Sequence, residues 1–193
     1  MALLSVPLEK FYRLLNHGPT VMVSAKHNGV ENMMSAAWSC VLDFYPNPKV
    51  TIVLDKATFT RPLVEGSGFF ALQVPFAHQA ETVIAMGQSR KENPNKLSDN
   101  HIELFYQDDA DIPLVKGCSA YLLCKVIPEP HNQQTHDLFI GRVLAAYADD
   151  RVFRNGHWEF DGVGDDLRNL HYVAGGQFYI TGKGINVKSN MPF

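Results

Sequence analysis

Four stretches hold residues whose types and spacing could do chemistry. Asp55-Lys56-Ala57-Thr58-Phe59-Thr60-Arg61-Pro62 follows a strand-like run and leads into a helix-like one. Pro62 suits a first helical turn and Thr60 its cap. Hydroxyls and cations beside free helix N–H groups favour a dianion such as phosphate, although the same residues also suit an ordinary capped helix. The polar run Gly87-Gln88-Ser89-Arg90-Lys91-Glu92-Asn93-Pro94-Asn95-Lys96 carries three cations and a serine. It reads as a solvated connection or as a second anion contact. Asn32-Met33-Met34-Ser35-Ala36-Ala37-Trp38 is nearly bare of side chain over Ser35, Ala36 and Ala37 and ends on a large flat ring. Small residues let another element pack closely, or let a flat ligand lie against the backbone and take its N–H hydrogen bonds. His136, with Asp137 beside it, opens a long strand-like run; a pocket location would turn a structural histidine into a catalytic one.

Several other chemistries lack their signatures. There is no G-x-G-x-x-G for a dinucleotide fold and no G-x-S-x-G elbow. Gly182-Lys183 resembles the end of a P-loop, but Gly184 stands where Ser or Thr is needed. None of the eight histidines falls in H-x-x-x-H or H-E-x-x-H, so no metal site is expected. The formal net charge is −3 with no basic run, so no nucleic-acid partner is expected. Three cysteines are too few for a disulfide framework, and the even offset of Cys118 and Cys124 suits core thiols on one strand face. No stretch approaches the roughly 18 apolar residues that a membrane helix needs, and Glu9 and Lys10 interrupt the apolar start, unlike a signal peptide. Hydrophobic residues make up 46% and charged ones 19%, enough for a real core. The expectation is a cytoplasmic protein of one domain spanning residues 1–193, with an N-terminal helix in 1–17 and an extended arm over 183–193.

The elements that must position these residues follow from periodicity and turn chemistry. Leu8, Phe11, Tyr12 and Leu15 share a helical face, capped by Ser5. Thr20–Lys26 alternates as a strand, and Asn28-Gly29 is a strong hairpin signal because both residues tolerate positive φ. The return strand is expected to run from Val30 through to Leu42. Further strands are expected at 49–54, 69–74, 101–106, 115–127 (one long strand), 136–149, near Trp158 and at 175–180. Helices are expected at 61–66, after the Thr60 cap, and at 77–86, and Pro128, Pro130 and the polar HNQQTH tract read as a loop. With about seven or eight strands, no βαβ rhythm and no repeat, the fold class is mainly β: an antiparallel barrel or sandwich with short helical inserts.

Taken together, four patterns resemble the flavin reductase-like family: Gly18-Pro19 leading to Asn32-x-Met34-Ser35-Ala36-Ala37-Trp38; Thr58-x-Thr60-x-x-Leu63 leading to Ser67-Gly68-Phe69; Gly87-x-Ser89-Arg90 with Lys96 after it; and His136-x-Leu138-Phe139-Ile140-Gly141-x-Val143. Tyr172, Gly175-Gly176 and Tyr179 also fit, so the resemblance spans roughly 14–182. It implies an FMN-binding split β-barrel that forms a homodimer with FMN near the interface. Asn32, Met34, Ser35, Ala36, Ala37 and Trp38 would meet the flavin ring. Asp55, Lys56, Ala57, Thr58, Thr60 and Arg61 would hold the ribityl chain and phosphate, with Ser89 and Arg90 adding phosphate contacts. His136 would lie on the flavin or nicotinamide side. The chain departs from the family pattern in having Ala at 37 for Ser, in lacking a glycine between Ser89 and Arg90, and in having Asn95 for Asp. The activity implied is an NADH- or NADPH-dependent flavin reductase. A flavoredoxin-like electron carrier reduced by a redox protein partner, and an enzyme like pyridoxamine-phosphate oxidase, are the alternatives.

Overall fold

The computed structural model describes residues 18–107 and 110–188, so the helix expected before residue 16 and the last five residues lie outside the described residues. β1 (Val21–His27) and β2 (Val30–Ala36) form the expected hairpin, with Asn28 at φ 51° and Gly29 at φ 74° in the turn. β3 (Ser39–Asp43) and β4 (Lys49–Val53) form a second pair. α1 (Thr60–Ser67) ends at Gly68, whose left-handed φ of 73° suits glycine. β5 (Phe69–Val74) follows. A 3₁₀ turn at 77–79 then runs into α2 (Ala80–Gly87), and α3 (Lys96–Asp99) is a single turn.

Three larger differences from expectation follow, two of them in the second half. The strand expected over 115–127 is two elements, β7 (Leu114–Val115), paired with β6 (Leu104–Phe105), and β8 (Ala120–Ile127). Gly117, at φ 86°, turns the chain between them. The tract read as a loop is α4 (Pro130–His136), with Pro130 in its first turn and Asp137 left-handed (φ 54°) at its end. It has no apolar period to betray it. β9 (Leu138–Ala148) therefore starts two residues after His136, which belongs to the helix. Two short hairpins complete the structure, β10 (Phe153–Arg154) with β11 (His157–Trp158) and β12 (Leu170–Ala174) with β13 (Gln177–Ile180); β11 and β13 stand where strands were expected, and β10 and β12 are additional.

Seven strands form one antiparallel sheet in the order β2-β1-β5-β8-β9-β4-β3. The third difference lies here. The single return strand expected over 30–42 breaks after Ala36, and its halves occupy opposite edges of the sheet. Ala37 and Trp38 alone join them, and so short a link spans about 10 Å. The sheet must therefore curl until its edges meet. The Val53 N–H donates to the Trp38 carbonyl at 3.1 Å, extending the β3–β4 ladder by one residue into the link, while among the described residues β2 pairs with β1 alone and keeps its other edge free. The result is a barrel with a split along β2.

The core explains why the barrel holds. Val21, Val23 and Ala25 of β1 point inward with Ile52, Phe70, Leu72 and Phe139, and Leu63 and Val64 of α1 join them. Met22, on the opposite face, is buried with Met33, Val83 and Met86 under α2. β1 is thus covered on both faces, and its five buried residues in a row reflect that. A Cβ at Gly141 would lie 2.4 Å from the Phe70 ring, so glycine is what lets β9 close over that side chain. Cys118 and Cys124 are buried, with thiols pushed up to about 12 by burial, as inert core thiols should be. Cys118 precedes β8, however, so the two do not share a strand.

Candidate functional site

The free edge of β2 is the floor of a cleft. Met34 and Ser35 are neighbours on a strand and point to opposite faces, yet both border the same two cavities, of ≈ 380 and ≈ 510 Å³. The surface that both residues share is the main chain of the edge. The Ser35 hydroxyl is already committed, donating to the Val83 carbonyl of α2. Ser35 therefore holds the helix to the strand and leaves the backbone to face the cleft. Asn32 is 2% exposed and acts as a strut. Its amide donates to Thr60 Oγ1 at 2.9 Å, and Arg90 reaches both its side-chain oxygen (3.5 Å) and the Glu31 carbonyl.

The second wall is the turn after β4. Asp55 Oδ1 accepts from the Ala57 N–H at 2.7 Å, and the Thr58 N–H and hydroxyl both donate to the Asp55 carbonyl, at 3.0 and 2.7 Å. This fixes Asp55, Ala57, Thr58 and the Phe59 ring along the cleft. Thr60 is not the cap of α1: it is the first helical residue, and its hydroxyl is taken up by Asn32.

The third wall is the loop from α2 to α3, and it is cationic. The Arg90 guanidinium lies over the Phe59 ring, 4.7 Å from its centroid. The Ser89 carbonyl accepts from the N–H groups of Glu92 and Asn93, and its hydroxyl accepts from the Lys91 N–H. Beneath them lies Lys96, 2% exposed. Its ammonium donates to the Met86 and Gln88 carbonyls at the C-terminal end of α2, both at 2.9 Å, and makes no carboxylate pair among the described residues. Burial, then the nearby Arg90 charge, lowers its pKa to about 8.

The larger cavity continues past Ala36 and Ala37 to Trp38, His136, Asp137 and Tyr172. Trp38 is half-exposed and His136 is exposed. Backbone geometry sets the floor at this end: the Tyr172 N–H donates to Thr20 Oγ1 at 2.9 Å, holding β12 against the start of β1.

The sequence-derived candidates divide accordingly. Asn32, Met34, Ser35, Asp55, Ala57, Thr58, Thr60, Ser89 and Arg90 line the smaller cavity, and Ala36, Ala37, Trp38 and His136 line its larger neighbour. Lys56 and Arg61 line neither. Lys56 points to α4, donating to the Gln134 carbonyl. Arg61 turns away from both linings. It is 3% exposed, and its guanidinium bonds the carbonyls of Leu54 (3.0 Å) and Gln133 (2.7 Å) and the carboxylates of Glu65 (3.0 Å) and Asp137. Burial works against its charge and those carboxylates outweigh it, so its pKa lies above the usual value. Four of its five N–H groups thus serve acceptors of the protein itself. Sequence reasoning did not select Phe59, Lys91, Lys96 or Tyr172 as site residues. The cation-rich run 87–96 carried the signal for two of them.

Among the described residues, no helix is long and apolar enough to cross a membrane, and no group of three or more His, Cys, Asp or Glu is placed to hold a metal ion. The flavin reductase like domain model matches residues 12–176. The crystal structure of an FMN-binding domain of a flavin reductases-like enzyme from Shewanella baltica OS155 is 53% identical, with a TM-score of 0.86, covering 95% of this chain and 96% of that one. A flavoredoxin from Methanosarcina acetivorans is 18% identical with a TM-score of 0.75, covering 97% and 95%, a likeness of fold alone. The uncharacterized protein YddH of Escherichia coli K12 is 36% identical over 183 residues, 92% of this chain and 95% of its own. The fold is the split barrel of these neighbours, and the chain belongs to the flavin reductase like domain family.

Proposed function

We propose that the cleft binds FMN and that the protein is an oxidoreductase of the NAD(P)H:flavin reductase type. The observation that carries this reading is the meeting, in one cleft, of a strand edge and a buried lysine that among the described residues have no strand partner and no carboxylate partner, respectively. The edge offers a flat slot with main-chain donors. Lys96, Arg90 and Lys91 with the Ser89 hydroxyl offer an anion end. The cavity volumes fall within the roughly 300–1,000 Å³ of small-molecule sites. These features fit the group: a planar ring needs the slot, and a phosphate dianion supplies the counter-charge that Lys96 lacks.

Bound FMN would supply the redox chemistry, taking up a hydride equivalent from NADH or NADPH. This chain's residues orient and stabilise. The β2 main chain would hold the ring, and N–H dipoles fixed along that edge would favour negative charge in a water-poor slot. Arg90 and Phe59, stacked on each other, close the phosphate side. Trp38, His136 and Tyr172 frame the opposite end, where a nicotinamide would approach.

The exposed apolar residues Val41, Leu42, Phe44 and Tyr45 of β3 and the following loop continue from Trp38. They support a homodimer in which this face is covered beside the cleft, to be checked by light scattering. Free Cys40, Cys118 and Cys124 fit a reducing compartment such as the cytoplasm.

The test is an anaerobic titration. Protein loaded with FMN should be yellow and bleach on adding NADH or NADPH. Bleaching only with an added reduced protein would favour the electron-carrier reading, and failure to quench FMN fluorescence at all would refute both.

A further inference from the structure

We propose that Arg61 is a positioning residue that sets helix α4, and with it His136, against the cleft. The inference rests on the reading of the cleft as a flavin and nicotinamide site.

α4 has no buried residue. A seven-residue helix without an apolar face does not dock by hydrophobic burial, so polar links must place it. Arg61 supplies the best-buried of them. Its Nη2 donates to the Gln133 carbonyl within α4 at 2.7 Å, and its Nη1 pairs with the carboxylate of Asp137, the residue after His136. Lys56 adds exposed links, to the Gln134 carbonyl and, at 3.8 Å, to Asp137. Nη1 of the same Arg61 also holds the Leu54 carbonyl, just before the turn that forms the second cleft wall, and the Leu54 N–H in return donates to the Asp137 carbonyl at 2.8 Å. One guanidinium thereby joins both banks of the cleft. It is held in place over the Phe139 ring, 5.2 Å from the centroid, at the start of β9. Asp137 is left-handed, so the chain changes direction between the residue Arg61 grips and the strand beyond. Where Arg61 fixes Asp137, it fixes the point from which His136 projects.

Arg61→Lys tests this, because it keeps the charge and loses the fork that reaches several acceptors at once. Amide exchange on the flavin-free full chain should speed up about tenfold or more across 131–138 while the core strands β5 and β8 keep their protection. In the FMN-loaded protein the KM for NADH should rise about tenfold, the scale of one displaced polar contact, with kcat and FMN affinity nearly unchanged. With His136→Ala already present, Arg61→Lys should add no further KM change. Unchanged exchange in 131–138 overturns the proposal. So does a KM effect that persists undiminished in the His136→Ala background, or a loss of FMN affinity larger than that for riboflavin, which would make Arg61 a direct phosphate ligand. Asp137→Asn breaks the same ion pair and should reproduce the exchange result if Arg61→Lys folds poorly. The exchange arm needs no flavin, so a protein that fails to bind FMN refutes the cleft reading without deciding the clasp.

Discussion

Arg61 and Lys96 are both buried cations, 3% and 2% exposed, and both sit close to the cleft. They do opposite things. Arg61 meets two carboxylates and two carbonyls, all from the protein, and its charge is balanced internally. Lys96 meets two carbonyls and no carboxylate among the described residues, and its charge is left to be balanced by something else. A buried cation with internal partners is architecture. One without them is a standing cost that a bound anion removes. The difference lies in the partners, which no single-residue reading of the sequence supplies.

Substitutions should separate the two, and the largest effect is expected at Arg61. Arg61→Met leaves Asp137 without its buried partner and four acceptors short of donors. It should destabilise the flavin-free protein by about 3 kcal/mol or more, read as a lowered urea midpoint. A loss below about 1 kcal/mol would mean that the network is no more than a surface pair.

A bulky residue in the slot comes next. Ala36 borders the larger cavity, and Ala36→Leu should reduce FMN affinity about a hundredfold or more by filling the space that the ring needs. Intact affinity by fluorescence quenching would place the ring elsewhere.

The pH dependence of Lys96 gives a third test. Its folded pKa of about 8 lies below the ordinary lysine value of 10.5. Below pH 8 both the folded and the unfolded chain hold the proton, and the cost of the buried charge is fully present. Between 8 and 10.5 the unfolded chain binds more protons, so flavin-free stability should rise with pH through that window, by on the order of 3 kcal/mol relative to Lys96→Met. FMN affinity should move the other way, falling above pH 8 as the ammonium is lost. A stability difference between wild type and Lys96→Met that stays flat from pH 7 to 10 would contradict the depressed pKa.

The smallest effect is expected at Ser35. Its hydroxyl serves the Val83 carbonyl, so Ser35→Ala should cost about 1 kcal/mol of stability and change FMN affinity less than twofold. A larger affinity loss would show that the side chain, and not the strand edge, contacts the ligand.

The same contrast explains what was legible in the sequence. The Asn28-Gly29 hairpin, β1, β5 and the all-β class follow from turn chemistry and alternation, which act locally. The Asn32–Trp38 stretch announces a special surface through its small residues. What makes it a site, the break at Ala37-Trp38 that sends β2 and β3 to opposite edges, is a property of sheet closure and leaves no local mark. α4 was hidden because exposed polar residues held by Arg61 and Lys56 carry no periodicity. Arg61 and Lys96 were ranked by residue type beside a helix start or in a polar loop. Only the fold decides which of two cations turns inward to carboxylates and which is left with carbonyls alone. Thr60 shows the same limit on a smaller scale: a threonine before Pro62 suits a cap, but the Asn32 amide arrives from 28 residues away and claims the hydroxyl.

The most direct test is the ratio of riboflavin to FMN dissociation constants, measured by fluorescence quenching at pH 7 in the wild type and in Lys96→Met. The two ligands share a ring and differ by the phosphate, so the ratio isolates the anion end. The wild type is predicted to prefer FMN by about a hundredfold, and Lys96→Met to lose at least about tenfold of that preference while riboflavin affinity holds, the scale of one charge-assisted hydrogen bond. A preference for FMN that Lys96→Met leaves intact, or a wild type that binds the two equally, would contradict the assignment of the cleft.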